Sequence, residues 1–202
     1  RVRNKTMAMH TSEDVATAVQ TMFSELTNLG LDEKSRCGIG ILDSTNFMEA
    51  WTASKDHNGK SIIDVGKLDM TLHPLLIEAK KYWVDQVSQY NYLLEGIEVK
   101  NYFKIINRSK EYSFKIDLKK LPSAIYHSDF VFKEGIVYSF TQEPISKELT
   151  QIFERFTRQF GLTFRRYLDL VKAESQTREA QIEAALERVR SRSMAMHKSD
   201  EM

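Results

Sequence analysis

The final stretch of the chain lacks helix breakers, and this constrains the fold more than any other feature of the sequence. From Ser146 to the end no proline occurs, and the only glycine is Gly161. Proline and glycine are the residues that most strongly interrupt helices. A single long helix is therefore predicted from Ser146 to the end of the chain.

Beyond Phe164 this stretch keeps a seven-residue period. One heptad position is mostly apolar and is occupied by Leu168, Ser175, Ile182, Val189 and Met196. The heptad position three residues further on becomes less apolar after its first member, and is occupied by Val171, Arg178, Ala185 and Arg192. Two apolar positions per heptad form the seam of a coiled coil. We predict a coiled coil of modest strength, 164–202, with its dimer seam at Leu168, Val171, Ile182, Val189 and Met196. The alternative is a single exposed helix, or one folded back on its own domain.

Both ends of the chain carry nearly the same phrase. "RVRNKTMAMHTSEDV" at 1–15 and "RVRSRSMAMHKSDEM" at 188–202 agree at eight of fifteen positions, and Val2 and Met9 match Val189 and Met196. A repeat spaced by about one domain length is typical of an array of modules. We expect the phrase to be a connecting helix on each side of one unit of a longer protein.

The composition excludes several classes of function. Lysine plus arginine and aspartate plus glutamate number 29 and 28, so no basic footprint for nucleic acid is expected. No apolar run approaches the roughly 20 residues that cross a bilayer, so no membrane contact by this segment is expected. One cysteine, Cys37, fits a reducing compartment, and a cytoplasmic location follows. A hydrophobic share of 42% can supply a core.

The first half of the chain predicts a helix followed by strands. Residues 1–29 have helical periodicity, and the segment 1–30 is expected to hold the connecting helix and the first helix of the domain. One face of that helix carries Val15, Val19, Met22, Phe23 and Leu26. The segment 36–54 alternates around the turn sequence "DSTN", which predicts a hairpin, and "IIDVGKLDM" predicts a third strand.

The second half predicts helices and then another hairpin. Residues 71–87 have helical spacing, with Leu72, Leu76, Ala79, Trp83 and Val87 on one face, and a second helix is predicted over 92–106. The runs "SAIYHSDFVF" and "IVYSFTQ" flank "KEG", a hairpin in which Gly135 is expected to adopt a positive φ. Two hairpins separated by helices predict an α+β domain over 31–163, with a mainly antiparallel sheet and helices packed on it.

Three runs resemble a known family. They are "HPLLIEAKKYWVDQ", "IYHSDFVFKEGIVYSFTQEP" and "FRRYLDLVKAESQTREAQIEAALERVRSRSMAMHKSDE". Together they resemble the GAF-like sensory domains of bacterial multidomain sensor histidine kinases. The resemblance covers most of the chain and is strongest from Ser123 onward. It implies a central antiparallel sheet flanked by helices and dimerisation through terminal helices. It implies no particular ligand, because GAF domains bind cyclic nucleotides, tetrapyrroles, haem or nothing known.

The candidate site residues are aromatic and polar. Trp51 and His127 on strands and Trp83 on a helix are predicted to line a ligand pocket between sheet and helices; plain core residues are the alternative. Asp129 follows His127 by two positions, so both side chains face the same way, with a solvated strand face as the alternative. Cys37 alternates with isoleucines and is interpreted as a core residue. The histidines, including His10 and His197 of the repeated phrase, have no metal-ligand spacing, and no cofactor can be named.

The sequence thus predicts a sensory or signal-transmission domain rather than an enzyme. We expect a homodimer that couples an unknown input, such as a small-molecule ligand, to a kinase or other output module in the same chain. No nucleophile, base and acid can be assembled into a catalytic set. Two other functions stay open. One is a scaffold that only dimerises, with its pocket filled by side chains, and the other is a hydrolase or transferase that depends on His127.

Overall fold

The computed structural model describes residues 12–56, 58–112 and 115–199. The helices in these ranges are α1 (Ser12–Asn28), α2 (Pro74–Val84), α3 (Ile97–Arg108) and α4 (Lys147–Ser199). The strands are β1 (Arg36–Leu42), β2 (Phe47–Lys55), β3 (Ser61–Asp69), β4 (Gln89–Glu95), β5 (Ala124–Phe132) and β6 (Gly135–Thr141). The predictions made for 1–11, which include His10 and most of the first copy of the repeated phrase, lie outside the described residues.

The six strands form one antiparallel sheet in the order β3-β2-β1-β6-β5-β4. The predicted hairpins are β1 with β2 and β5 with β6, and the predicted third strand is β3. Helices flank the sheet, and α4 is 53 residues long. The predicted α+β class, with an antiparallel sheet, flanking helices and a long C-terminal helix, is therefore confirmed.

One face of the sheet packs against α1 and the first part of α4, and we call it the α1/α4 face. Residues paired across neighbouring strands point to the same side, and one such row contains Trp51, Ile39 and Val137. The row ends at Phe130, whose ring stacks on that of Phe153 in α4 at a centroid distance of 5.0 Å. α1 packs on β1, β2 and β3, and its five predicted apolar positions are buried.

Cys37 belongs to this face and is fully buried. Burial raises the pKa of its thiol, because the thiolate would lose its hydration in an apolar surrounding. Such a thiol is a poor nucleophile, and the structure agrees with the interpretation of Cys37 as a core residue.

The opposite face packs against α2 and α3, and we call it the α2/α3 face. A row across this face contains Thr52, Gly38, Tyr138 and Asp129 on β2, β1, β6 and β5. A single hydrophobic cluster joins the face to both helices. Its members include Met48, Ile136, Leu75, Leu76, Val99, Phe103 and Ile106.

Three local predictions are wrong. The helix predicted over 92–106 begins only at Ile97, because residues up to Glu95 form β4 and pair with β5. Leu72 and Val87 lie outside α2 and are exposed. Gly135 is absent from the positive-φ residues and opens β6, where a Cβ atom would lie 2.0 Å from the Gly40 carbonyl oxygen. Glycine is needed there for close strand approach.

The chain divides into two compact units, one ending at Thr163 and the other beginning at Phe164. The second unit is the later part of α4, and its residues from Leu168 to Arg190 are exposed. None of the described helices is both long and apolar enough to cross a membrane.

Candidate ligand-binding site

Three hydroxyl groups meet at the middle of the α2/α3 face. Thr52 Oγ1 lies 2.6 Å from the hydroxyl of Tyr138, and it forms a second hydrogen bond with the hydroxyl of Tyr112. All three side chains are buried. Burial raises the pKa of both tyrosine hydroxyls, so they stay protonated near neutral pH and remain able to donate. We call these three residues the hydroxyl cluster.

Gly38 allows the hydroxyl cluster to form. It lies between Thr52 and Tyr138 in the strand register. A Cβ atom at this position would lie 2.6 Å from the Tyr138 ring and 2.2 Å from the carbonyl oxygen of Trp51. Because glycine has no side chain, the tyrosine ring can cross β1 and reach the threonine on β2.

His127 and Asp129 form a buried pair on β5. His127 Nε2 lies 2.9 Å from Asp129 Oδ1, and the two side chains are 4% and 1% exposed. The contact has the length of an ion pair without the angles of a hydrogen bond. Neither the imidazole nitrogens of His127 nor the carboxylate oxygens of Asp129 have a hydrogen-bond partner among the described residues. The solvated strand face, the alternative considered for this pair, does not occur.

A small inner cavity lies between the α2/α3 face and the two helices. Its volume is about 40 Å³. Besides apolar side chains it is lined by Arg36, Thr52, Tyr102, Tyr112, His127 and Tyr138. One water molecule needs about 10–15 Å³ of such space, whereas pockets for drug-sized ligands measure about 300–1,000 Å³. The inner cavity therefore has room for water or a ligand of a few atoms.

A larger outer cleft lies at the end of the sheet where β1 begins and where β2 and β6 end. Its volume is about 550 Å³, within the range of small-molecule sites. Its apolar wall includes Ile62, Phe103, Ile116, Leu121, Ile125 and Phe140. Its charged residues are Lys34, Arg36, Lys55, Lys115 and Lys120 against Asp56 and Asp117. The lining of the outer cleft thus combines apolar side chains with five cationic and two acidic residues.

The four predicted pocket residues do not come together. Trp51 lies on the α1/α4 face, opposite to His127. Trp83 packs beside the hydrophobic cluster of the α2/α3 face. Its Nε1 donates a hydrogen bond to the carbonyl oxygen of Lys133 at 3.2 Å. His127 lines the inner cavity, whereas Asp129 contacts His127 without lining either space.

Sequence patterns did not predict that Arg36, Tyr112 and Tyr138 would line the site. Arg36 lines both the inner cavity and the outer cleft, and its Cζ lies 5.6 Å from the centroid of the Phe103 ring. One signal was present, since Arg36 begins a strand in which it alternates with two glycines on the same face. Glycine inside a strand marks a place where another group approaches the sheet closely, and beside Gly38 that group is the Tyr138 ring.

The second unit presents its apolar side chains to solvent. At predicted seam positions Leu168, Val171, Ile182 and Val189 are 41%, 45%, 52% and 65% exposed. Met196 lies within α4, but its side chain is outside the described part. In a single chain these apolar side chains remain in contact with water. Burying them against the matching helix of a partner would therefore be favourable.

The described residues contain no group of three or more metal-ligating side chains that could hold an ion. Comparison of the chain with protein-family models, with curated proteins and with solved structures finds no match.

Proposed function

We propose that the chain is a GAF-like sensory or signal-transmission domain of a bacterial sensor histidine kinase. In this proposal it is a cytoplasmic homodimer that couples an input to an output module through its terminal helices. The observation that carries the proposal is the exposed apolar seam on α4. The resemblance of three sequence runs to GAF-like domains adds the link to histidine kinases, and the antiparallel sheet flanked by helices supports it.

Strand β5 supplies a route from the site to α4. His127 on this strand faces the inner cavity, whereas Phe130 and Phe132 face the other way. Phe130 stacks on Phe153, and Phe132 meets Phe160 edge to face at 5.5 Å. A ligand that displaces β5 from one side therefore acts on the packing of α4 on the other, because close-packed rings cannot move independently.

In this proposal the dimer is parallel. Ile182 and Val189 share one heptad position, and β-branched residues there favour two strands when leucine occupies the other seam position, which here holds Val171, Arg178 and Ala185. Arg178 at the other seam position lowers stability and leaves the association weak enough to be shifted by a signal. A two-state rearrangement of such a seam is a known way to transmit a change between modules.

The test is sedimentation velocity on the purified chain and two variants. Ile182→Glu places a charge in the seam, and Leu170→Glu places the same charge on an exposed apolar residue outside it. We expect the chain and Leu170→Glu to sediment as dimers and Ile182→Glu as a monomer. A monomeric parent chain, or equal behaviour of the two variants, would remove the seam from the proposal.

A ligand-free scaffold is the second candidate. It is favoured by the small size of the inner cavity, about 40 Å³, and by the tyrosine side chains that fill the surrounding space. A scaffold would dimerise as above but would show no saturable ligand binding in the outer cleft. Ligand titration therefore separates the two candidates, while sedimentation tests what they share.

A further inference from the structure

We propose that the inner cavity binds a small uncharged molecule with a hydrogen-bonding group, a short amide or alcohol of about three heavy atoms. This inference rests on the proposed sensory function, because it names the chemical class of the input. Every residue that lines the cavity belongs to the first unit. The ligand lies between β5, which carries His127, and α3, which carries Tyr102.

Two polar side chains of the cavity lining are buried without a hydrogen-bond partner. His127 is 4% exposed, and neither of its imidazole nitrogens has a partner in the described part of the chain. Tyr102 is also 4% exposed, and its hydroxyl forms no hydrogen bond within the described ranges. The rings of both residues contact Phe140, at centroid distances of 4.4 Å for His127 and 5.7 Å for Tyr102. The two unsatisfied groups therefore lie at the same part of the cavity.

The unsatisfied groups indicate a bound hydrogen-bonding molecule. Buried polar groups almost always have a partner, which is either protein or ordered water. A cavity of about 40 Å³ holds about three atoms of water size, since one water needs about 10–15 Å³. Burial raises the pKa of the Tyr102 hydroxyl, so this group stays protonated near neutral pH and can donate. A ligand with one acceptor and one donor can therefore bond to Tyr102 and His127 together.

The charges around the cavity favour an uncharged ligand. Among the described lining residues, Arg36 alone carries a permanent charge, and its guanidinium already interacts with another group of the chain. Burial lowers the pKa of this guanidinium, while Tyr112 and the carboxylate of Asp64 act against that shift. An ion that entered the cavity would lose its hydration without gaining an unpaired counter-charge on the lining. Anions and cations are therefore both disfavoured.

Ligand binding at this place acts on β5. Both imidazole nitrogens of His127 are covered by protein atoms, so the ring must turn toward the cavity to bond to a ligand. The ring packs on Phe140, and its Nε2 lies 2.9 Å from Asp129 Oδ1 on the same strand. Because these surroundings are close-packed, a turn of the ring displaces its neighbours on β5, the strand proposed to act on α4.

The experiment titrates probes of equal size into the isotope-labelled chain at constant ionic strength and follows its methyl NMR signals. Formamide and ethanol are uncharged, formate is an anion, and formamidinium is a cation. We expect formamide or ethanol to shift the Ile106 and Ile136 methyl signals saturably, with a Kd of about a millimolar or weaker because the ligand is so small. Ile62 of the outer cleft and Ile182 of α4 should not shift. Formate and formamidinium should bind at least about tenfold more weakly.

Two tyrosine variants form a matched control. Tyr102→Phe removes a hydroxyl at the cavity, whereas Tyr90→Phe removes one that donates to Glu78 and belongs to a residue outside the cavity lining. Tyr102→Phe should weaken binding of the uncharged probe about three- to tenfold, and Tyr90→Phe should leave it unchanged. Because the Tyr102 hydroxyl has no partner within the described ranges, its removal should not lower the urea midpoint of unfolding. In the parent chain the imidazole ¹⁵N signals of His127 should shift with the same midpoint as the methyl signals.

No saturable shift by either uncharged probe would mean that the cavity holds water only, and it would overturn the inference. Equal binding of the charged probes, shifts confined to other methyl groups, or equal effects of the two tyrosine variants would do the same. The outcome is independent of the sedimentation test. A dimer without probe binding would leave the transmission function standing without this input, and a monomer that binds formamide would do the reverse.

Discussion

Gly38 is the position at which one added methyl group should cost most. In Gly38→Ala the new Cβ would lie 2.6 Å from the Tyr138 ring and 2.2 Å from the Trp51 carbonyl oxygen. The ring can move only by giving up its hydrogen bond to Thr52, and the carbonyl can move only if β1 and β2 separate. Overpacking of this kind costs about 1–3 kcal/mol. The lost hydrogen bond adds about 1 kcal/mol.

We therefore expect Gly38→Ala to lower the free energy of unfolding by about 2–4 kcal/mol. Urea unfolding followed by tryptophan fluorescence measures this value. Both tryptophans of the chain, Trp51 and Trp83, belong to the first unit. The signal therefore reports the sheet and its helices rather than the later part of α4.

Tyr138→Phe is the control, since it removes the hydroxyl and keeps the ring. Alone it should cost about 1 kcal/mol. Because Gly38→Ala already breaks that hydrogen bond, the double variant should cost less than the two single changes together. Strict additivity, or a Gly38→Ala variant within about 0.5 kcal/mol of the parent chain, would refute the role given to this glycine.

Further predictions concern His73, Asp129 and Phe153. His73 caps α2 by accepting a backbone N–H through Nδ1, and burial lowers its pKa although Glu98 opposes this. The native state then binds fewer protons than the unfolded one, so the free energy of unfolding should decrease as the pH falls below about 6.5. His73→Asn, which caps without titrating, should flatten that slope, and an unchanged slope would contradict it. Asp129→Ala should cost about 1–3 kcal/mol, because it leaves the buried polar side chain of His127 without its polar neighbour, whereas replacing both residues with leucine should cost less. A double variant less stable than Asp129→Ala would show that the pair itself stabilises the fold. Phe153→Ala should cost about 3–5 kcal/mol in the same urea assay, and a loss below about 1 kcal/mol would contradict the packing of α4 on the sheet.

The long helix and the two hairpins could be predicted because their signals are local. The region after Ser146 lacks breakers, and β1 and β2 alternate around a turn sequence that is rich in turn formers. β4 could not be predicted, because its tyrosines and leucines fit either a helix or a strand. Its conformation is decided by pairing with β5, whose partner residues are 29 (Glu95 with Ala124) to 41 (Gln89 with Phe130) positions away in the chain.

The site was harder to predict than the fold. His127 and Asp129 were found because two residues of one strand share a face. Trp51 was assigned to the same pocket, but the strand register places it on the other face. Arg36 and Tyr112 line the same cavity because of the strand register and the path of the chain after α3. No local pattern in the sequence encodes either of these.

Cysteine cross-linking in the seam reports whether two chains meet along this face of α4. In a parallel dimer in register, Ile182→Cys lies opposite its own copy, within the distance that a disulfide requires. The same change at Leu170 points away from the partner, and Cys37 is buried and should not react. Under mild oxidation we expect a covalent dimer for Ile182→Cys and little covalent dimer for Leu170→Cys. No cross-link at Ile182, or equal cross-linking at both positions, would contradict a dimer built on this seam.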